Sequence, residues 1–344
     1  MKYKLYKTSH HAWDAMIKAI EGAQKSIYLE MYIFLDDTTQ SHDFIGKLTQ
    51  KAQAGLQVIV VADAFGSKGI KKETLENMKR AGIEFLFFSH WLRHIHRKIM
   101  IIDEKFAFMG GVNIGKKFFA WHDLQLKLHG KIAARLLKSF AYTYEMAGGK
   151  NDKILRLRKK KISYKLKFWL IEHWPQKNIH TLKNHYVEKI TTAQKSIKIT
   201  TPYFTPPRWL ISLLDDAMRR GVEVEILLPK KADIGIMNHI NYCFMSDIHR
   251  QGASFFLTDK MIHAKLLLID ENEGLVGSQN LDFASFSLNS EVGLFFKDKR
   301  LIKELAEIIS FWKKNSTKFQ QKNFKMTWLD YIIVALMRVV WPML

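Results

Sequence analysis

The chain has 344 residues, 47% of them hydrophobic, which is enough for about two domains and too apolar for a disordered or fibrous protein. Lys and Arg number 54 against 33 Asp and Glu, a formal charge of +21 that calls for a polyanionic partner, either an anionic membrane surface or nucleic acid. Cys243 is the only cysteine, which excludes an internal disulfide and fits a reducing compartment. No Cys or His cluster has zinc-site spacing (His94 and His96 read as strand neighbours), so neither metal nor cofactor is expected.

Taken in order, the opening MKYKLYKTSH has no apolar core behind its lysines and does not read as a secretory signal. Ala12, Ala15, Met16, Ala19 and Ile20 recur at helical spacing between His11 and Glu21, and Ser26 to Phe34 reads as a strand. A helix over Phe44 to Ala54 is expected to stop at Gly55. VIVVADAFGS reads as a buried strand and turn, and Lys71 to Arg80 as a helix ending before Gly82. Strands alternating with helices indicate parallel α/β architecture. HIHRKIMIIDEKFAFMGGVN follows, with His96, Lys98 and Asp103 in the order His-x-Lys-x4-Asp, then Gly110, Gly111 and Asn113.

The arrangement returns in MIHAKLLLIDENEGLVGSQN, at one constant offset: His96 to His263, Lys98 to Lys265, Asp103 to Asp270, Asn113 to Asn280. Gly277 and Ser278 take the places of Gly110 and Gly111. AQKSI at 23–27 recurs at 193–197, and RRGVEVEILLP parallels AGLQVIVVAD with Gly221 answering Gly55. TPYFTPP, from Thr201, ends a strand of the second copy. The chain is a duplicated unit.

Within each copy His and Lys stand two apart, so an extended strand turns both side chains to one face. The following IMII and LLLI read as a strand buried on both faces. An ammonium beside an imidazole suits a phosphoryl group, the one neutralising oxygen charge while the other attacks or donates a proton. A Gly-Gly or Gly-Ser turn lets backbone N–H groups approach an anion, which makes Gly111 and Ser278, with the amides of Asn113 and Asn280, candidates for substrate contact. Two histidines supply a nucleophile and a general acid. Asp123 follows the first histidine at nearly the distance at which Glu291 follows the second, as expected of carboxylates that fix imidazole tautomers; ordinary surface carboxylates are the alternative. Asp103 and Asp270 either share in catalysis or tie down the turn that follows them.

HRKIMIID…GGVN and HAKLLLID…GSQN resemble the paired signature of the phospholipase D superfamily, and GSQNLDFASFSLNSEVGL is similar to the bacterial cardiolipin synthases. The resemblance runs from about Tyr6 to Lys313 and departs at Ala284 and His122, where those synthases usually carry Arg. It implies an α/β fold of two pseudo-twofold-related halves with one active site at their interface, and no second subunit to complete it. It implies phosphatidyl transfer from one phosphatidylglycerol to another, giving cardiolipin and glycerol through a phosphatidyl-histidine. His96 would be the nucleophile and His263 the acid and base, with Glu291 crossing over to His96 and Asp123 to His263. The same motifs serve a hydrolase releasing phosphatidic acid, or a phosphodiesterase or nuclease. A non-catalytic membrane-binding protein is the reading of another class, favoured only if a motif residue were missing.

The expected organisation is a first half over 1–150, a basic connector over 151–175, a second half over 176–318 and a terminal segment over 319–344. KILRLRKKKISYKLKF, from Lys153, carries eight Lys or Arg with apolar residues between them. It suits an anionic bilayer, a nucleic-acid backbone or a solvated connector. In MTWLDYIIVALMRVVWPML, from Met326, the uninterrupted apolar run is too short to span a bilayer, while Trp328 and Trp341 bracket it as residues at a membrane boundary do. An interfacial anchor is expected, with a helix docked on the core as the alternative. A nuclease has no use for such a tail, so nucleic acid is not the expected partner. A phospholipid substrate and peripheral attachment to the cytoplasmic face of a bacterial membrane are expected instead.

Overall fold

The sequence repeat becomes two sheets of one strand order in the computed structural model, which describes residues 2–162, 168–324, 327, 328, 330, 332 and 335. The first half runs β1 (Tyr3–Thr8), α1 (Ser9–Glu21), β2 (Ser26–Met31), α2 (Phe44–Gln53), β3 (Gln57–Asp63), α3 (Lys72–Arg80), β4 (Glu84–Phe88), β5 (Lys98–Ile102), β6 (Phe106–Gly110), β7 (His122–His129), α4 (Lys131–Met146) and α5 (Asp152–Leu157). The second runs β8 (Phe168–His173), α6 (Thr181–Thr192), β9 (Ser196–Thr200), β10 (Phe204–Thr205), α7 (Arg208–Arg219), β11 (Glu223–Pro229), α8 (Gly235–Arg250) and β12 (Ser254–Thr258). It continues through β13 (Leu266–Ile269), β14 (Glu273–Gly277), β15 (Leu281–Asp282), α9 (Phe283–Ser287), β16 (Glu291–Phe296), α10 (Lys299–Lys314) and β17 (Ser316–Lys318).

The first sheet is ordered β1-β7-β6-β5-β2-β3-β4 and the second β8-β16-β14-β13-β9-β11-β12, with β17 added at its end. Within these two sheets parallel pairing is confined to β2, β3 and β4 and to β9, β11 and β12; the short β10 and β15 pair in parallel apart from them. The motif strands β5 and β13 run antiparallel to β2 and β9, so the expected parallel architecture holds for only part of each sheet. The reason is the turn after each motif strand. Asp103 and Glu104 have φ of 51° and 57°, and Asp270 and Glu271 have 53° and 54°. Positive φ at two successive residues makes a tight hairpin whose twist matches its strands, so the chain returns beside itself instead of crossing over.

Both motif aspartates also clamp the start of the neighbouring strand. Asp103 accepts backbone hydrogen bonds from Gln24, Lys25 and Ser26 at 2.7–3.1 Å, and Asp270 from Gln194, Lys195 and Ser196 at 2.7–2.9 Å. The repeated AQKSI is therefore the partner of the repeated aspartate.

Burial follows the strand alternation. Ile99 and Ile101 of β5 enter a core shared by the facing sides of the two sheets with α4 and α10, while Met100 and Ile102 enter the outer core under α1 and α2. The second sheet packs its outer side on α6, α7 and α8. The expected helices form within a residue or two of their expected bounds: α1 buries Ala12, Trp13, Met16, Ala19 and Ile20, and α2 ends before Gly55, whose φ of 87° suits a glycine. Phe168–His173 lies within the stretch expected to be a connector, yet pairs with β16 as the edge strand of the second sheet. Residues 163–167 of the basic stretch and most of the C-terminal segment lie outside the described residues. Among the described residues no helix is long and apolar enough to cross a membrane.

The clamp predicts a stability defect that depends on pH. Removing a carboxylate that accepts three N–H groups costs about 1–3 kcal/mol, so Asp270→Ala should lower the unfolding free energy near neutral pH by that amount, read as a lower denaturant midpoint at unchanged m. The backbone donors hold both aspartates below the usual carboxylate range despite partial burial. A depressed folded-state pKa stabilises above the unfolded value of about 3.9 and is lost as pH falls. The gap between Asp270→Ala and wild type should close in acid, and a gap independent of pH would remove the clamp.

Candidate active site

β5 leaves from the edge at which β2 ends, Lys98 lying opposite Met31, and β13 leaves likewise from beside β9. His96 therefore precedes its strand instead of lying on it. Two short cross-half bridges hold the flanking backbone: His96 N donates to Ser290 O at 3.0 Å and Ser290 N to His94 O at 2.8 Å. His122 N donates to Met261 O at 3.0 Å and His263 N to His122 O at 2.7 Å. Each motif histidine is thus tied to the residue beside the other half's carboxylate.

The side chains cross in the same way. His96 Nδ1 lies 3.0 Å from Glu291 Oε1, and His263 Nδ1 lies 2.8 Å from Asp123 Oδ2. All four groups are buried. Against the opposing pull of burial, the imidazole of His96 and the charge of Lys98 hold the Glu291 carboxyl below its ordinary value. His263 and Lys265 do the same for Asp123. Both carboxylates are ionised, so each imidazole donates through Nδ1 and keeps a lone pair on Nε2. Burial pushes His96 and His263 down to about 4, against the pull of the carboxylates, with both lysine charges adding to the depression. Both rings are neutral at neutral pH.

The lysines are pinned beside the histidines they follow: Lys98 Nζ donates to His96 O at 2.7 Å, and Lys265 Nζ to His263 O. Burial, with the charge of Lys265 next, holds Lys98 well below the usual lysine value, and burial takes Lys265 down to about 8. Each buried ammonium spends one N–H on a backbone carbonyl and keeps others to offer an anion.

The other expected residues divide. Asn113 and Asn280 are buried, and each keeps its amide oxygen without a hydrogen-bond partner, an acceptor for a substrate hydroxyl. Gly111 and Ser278 do not offer donors to an anion. Their N–H groups are committed to Leu124 O and Val292 O, and both residues serve the carboxylates. A Cβ on Gly111 would lie 2.2 Å from Asp123 Oδ1, and the Ser278 hydroxyl donates to Glu291 Oε2. Asp103 and Asp270 lie at the far ends of their strands from the histidines and do not join the site. His122, one of the two departures from the resemblance, packs its ring 5.6 Å from that of Trp312.

Several residues escaped sequence reasoning. Tyr32 stands edge-on to His96 at 4.7 Å, with Lys98 Nζ 5.0 Å from its ring centre. Tyr203 donates to Asp233, which also accepts from Lys117 at 3.1 Å; burial, with Asp233 next, pushes the Tyr203 hydroxyl up. Both tyrosines follow matched strands, in EMYIF and TTPYF, so the repeat was the available signal. Ser285 donates to Glu291 at 2.8 Å, positioned by Asp282, which caps α9 through Ser285 N at 2.7 Å. His94, read above as a mere strand neighbour, places Nδ1 3.3 Å from the buried Asp63 carboxylate. That pair has no counterpart in the second half, where Met261 stands in the place of His94.

The imidazole environment can be checked by NMR titration. His96 and His263 should protonate near pH 4, well below the ordinary value of about 6.5. The unfolded chain takes up those protons first, so stability should rise with pH across that window. Midpoints near 6.5 for both rings would refute the buried, neutral assignment.

A family model described as "Cardiolipin synthase, PLD-like domain" matches residues 16–143 and 186–312, the two sheets in turn. A cardiolipin synthase of Listeria welshimeri is 31% identical to this chain, over 88% of this chain and 67% of its own length. A cardiolipin synthase of Clostridium perfringens is 31% identical over 99% of this chain and 76% of its own length. Among solved structures, a phosphatidylserine synthase of Haemophilus influenzae aligns with a TM-score of 0.76, covering 98% of this chain and 93% of its own; at 16% identity it speaks for the fold alone. The duplicated sheets, the paired motifs and these relatives agree: the chain belongs to the cardiolipin synthase group of the phospholipase D superfamily, enzymes of the phosphatidyltransferase type.

Proposed function

We propose that the protein transfers a phosphatidyl group from one phosphatidylglycerol to the free hydroxyl of another, forming cardiolipin and releasing glycerol. The observation that carries this reading is the crossed pairing of two neutral histidines with carboxylates of the opposite halves, beside two buried lysines. A phosphodiester anion entering between Lys98 and Lys265 meets the N–H donors of two ammonium groups and adds its negative charge to the cluster. The same charge favours protonation of one imidazole, because a nearby anion raises a histidine pKa.

His96 Nε2 then attacks phosphorus, forming a P–N bond as the P–O bond to glycerol breaks, and His263 gives its proton to the departing oxygen. Glu291 stabilises the positive charge that develops on His96. In the second step His263, now neutral, takes the proton of the incoming hydroxyl. The new P–O bond forms as the P–N bond breaks, and both rings return to their starting state. Lys98, Lys265 and the side-chain N–H groups of Asn113 and Asn280 hold the non-bridging oxygens throughout. Assigning attack to His96 and acid–base duty to His263 follows the superfamily resemblance. The basic surface and the apolar terminal segment fit peripheral attachment at a bacterial membrane, on its cytoplasmic face.

The test is lipid analysis after incubation of purified protein with phosphatidylglycerol vesicles. Wild type should yield cardiolipin and free glycerol. His96→Ala should lose at least about 10³-fold of the rate, and His263→Ala should lose about 10²–10⁴-fold, since the same ring serves both steps. Phosphatidic acid as the main product would replace the transferase reading with a hydrolase. No lipid product from wild type would overturn both.

A further inference from the structure

Several of the large apolar side chains that stand in solvent lie on loops around the mouth of the candidate site. Phe65 follows the end of β3 and is 59% exposed; Trp91, between β4 and the first motif, is 89% exposed with Leu92 beside it. Ile234 and Ile236, after β11, are 47% and 70% exposed. The topology puts these loops together. β3 and β4 end side by side at Asp63 and Phe88, and β5 starts from that edge, so residues 89–97 run along the edge at which His96 lies. β11 holds the same place in its sheet as β3 in the first. Lys117 of the first half reaches Asp233, next to Ile234, at 3.1 Å.

Cations stand among these apolar tips. Lys68 lies over the ring of Phe65 at 5.1 Å, and Lys230 and Lys231 are exposed just ahead of Ile234. The C-terminal segment arrives at the same place. Asp330 accepts a hydrogen bond from His239, close behind Ile236 at the start of α8, and the neighbouring Trp328 and Ile332 are exposed.

We propose that this rim is a docking surface for an anionic phospholipid bilayer, with Trp91, Leu92, Ile234 and Ile236 entering the headgroup–acyl boundary and the lysines meeting lipid phosphates. Apolar tips flanked by cations are what an interfacial contact requires, and a net charge of +21 complements an anionic surface. A polyanion such as nucleic acid would be met by the lysines but would leave four apolar side chains unsatisfied. The inference rests on the reading of the substrate as a phospholipid. It seats the mouth on the lipid from which that substrate comes.

The experiment compares wild type with the fourfold variant Trp91→Ser, Leu92→Ser, Ile234→Ser and Ile236→Ser. Two readouts are used: sedimentation with vesicles of phosphatidylglycerol or of phosphatidylcholine alone, and turnover of short-chain phosphatidylglycerol kept below its micelle concentration. Wild type should bind phosphatidylglycerol vesicles preferentially. The variant should bind them at least about tenfold more weakly, with short-chain turnover within about twofold of wild type. Vesicle binding equal to wild type, or wild type that binds neither vesicle, overturns the docking surface. If neither protein turns over the soluble lipid while only wild type binds vesicles, the docking surface stands and the proposed reaction falls. A conservative variant guards against misfolding: Trp91→Phe should remove part of the tryptophan fluorescence quenched by brominated phosphatidylglycerol, and quenching equal to wild type overturns the proposal.

Discussion

The rest of the structure depends on an exchange of hydrogen bonds between the two halves. Glu291 belongs to the second sheet and serves the first histidine, while Asp123 belongs to the first sheet and serves the second. Both contacts are buried, where an unpaired charge costs several kcal/mol. A slip of one half against the other within the closed interface would leave two buried carboxylates without their histidines, so the crossed pairs hold a single register. The backbone bridges beside each histidine fix the same register without any charge. Around them the two sheets and helices α4 and α10 close one apolar core, which excludes water from the cluster and keeps both rings neutral.

The motif divides its labour along one strand. At its start, His96 and Lys98 stand at the site. At its end, Asp103 shapes the hairpin turn and clamps the strand next door. Arg97, between the two, points the other way, as strand alternation requires, and pairs with the buried Glu30 at 3.2 Å under the ring of Trp174. The glycine of the following turn makes room for a carboxylate oxygen. A His-x-Lys-x4-Asp signature therefore records one piece of chemistry and two pieces of carpentry, and spacing alone does not separate them.

That is also the measure of what the sequence disclosed. The duplication, the histidine–lysine pairs and the two partner carboxylates were legible, because repeated spacing survives where local context differs. The crossing of Glu291 and Asp123 came from resemblance and not from periodicity, since pairing across halves leaves no local signal. Tyr32 left no signal beyond its place after a repeated strand and Ser285 left none, so the three-dimensional neighbourhood of His96 and Glu291 is what gives them a role. The antiparallel course of β5 and β13 was hidden for a similar reason. Hairpins of this type usually advertise themselves through Asn-Gly or Asp-Gly, and here the turns are Asp-Glu, held in the left-handed region by the clamp on each aspartate.

The pair formed by His94 and Asp63 has a consequence for direction. A perfectly twofold mouth would receive a bent or asymmetric molecule equally well in either of two orientations. An imidazole and carboxylate on one side, facing a methionine position on the other, remove that degeneracy. Polarity in this molecule thus comes from a place where the repeat fails, and two near-copies of one unit become a left and a right.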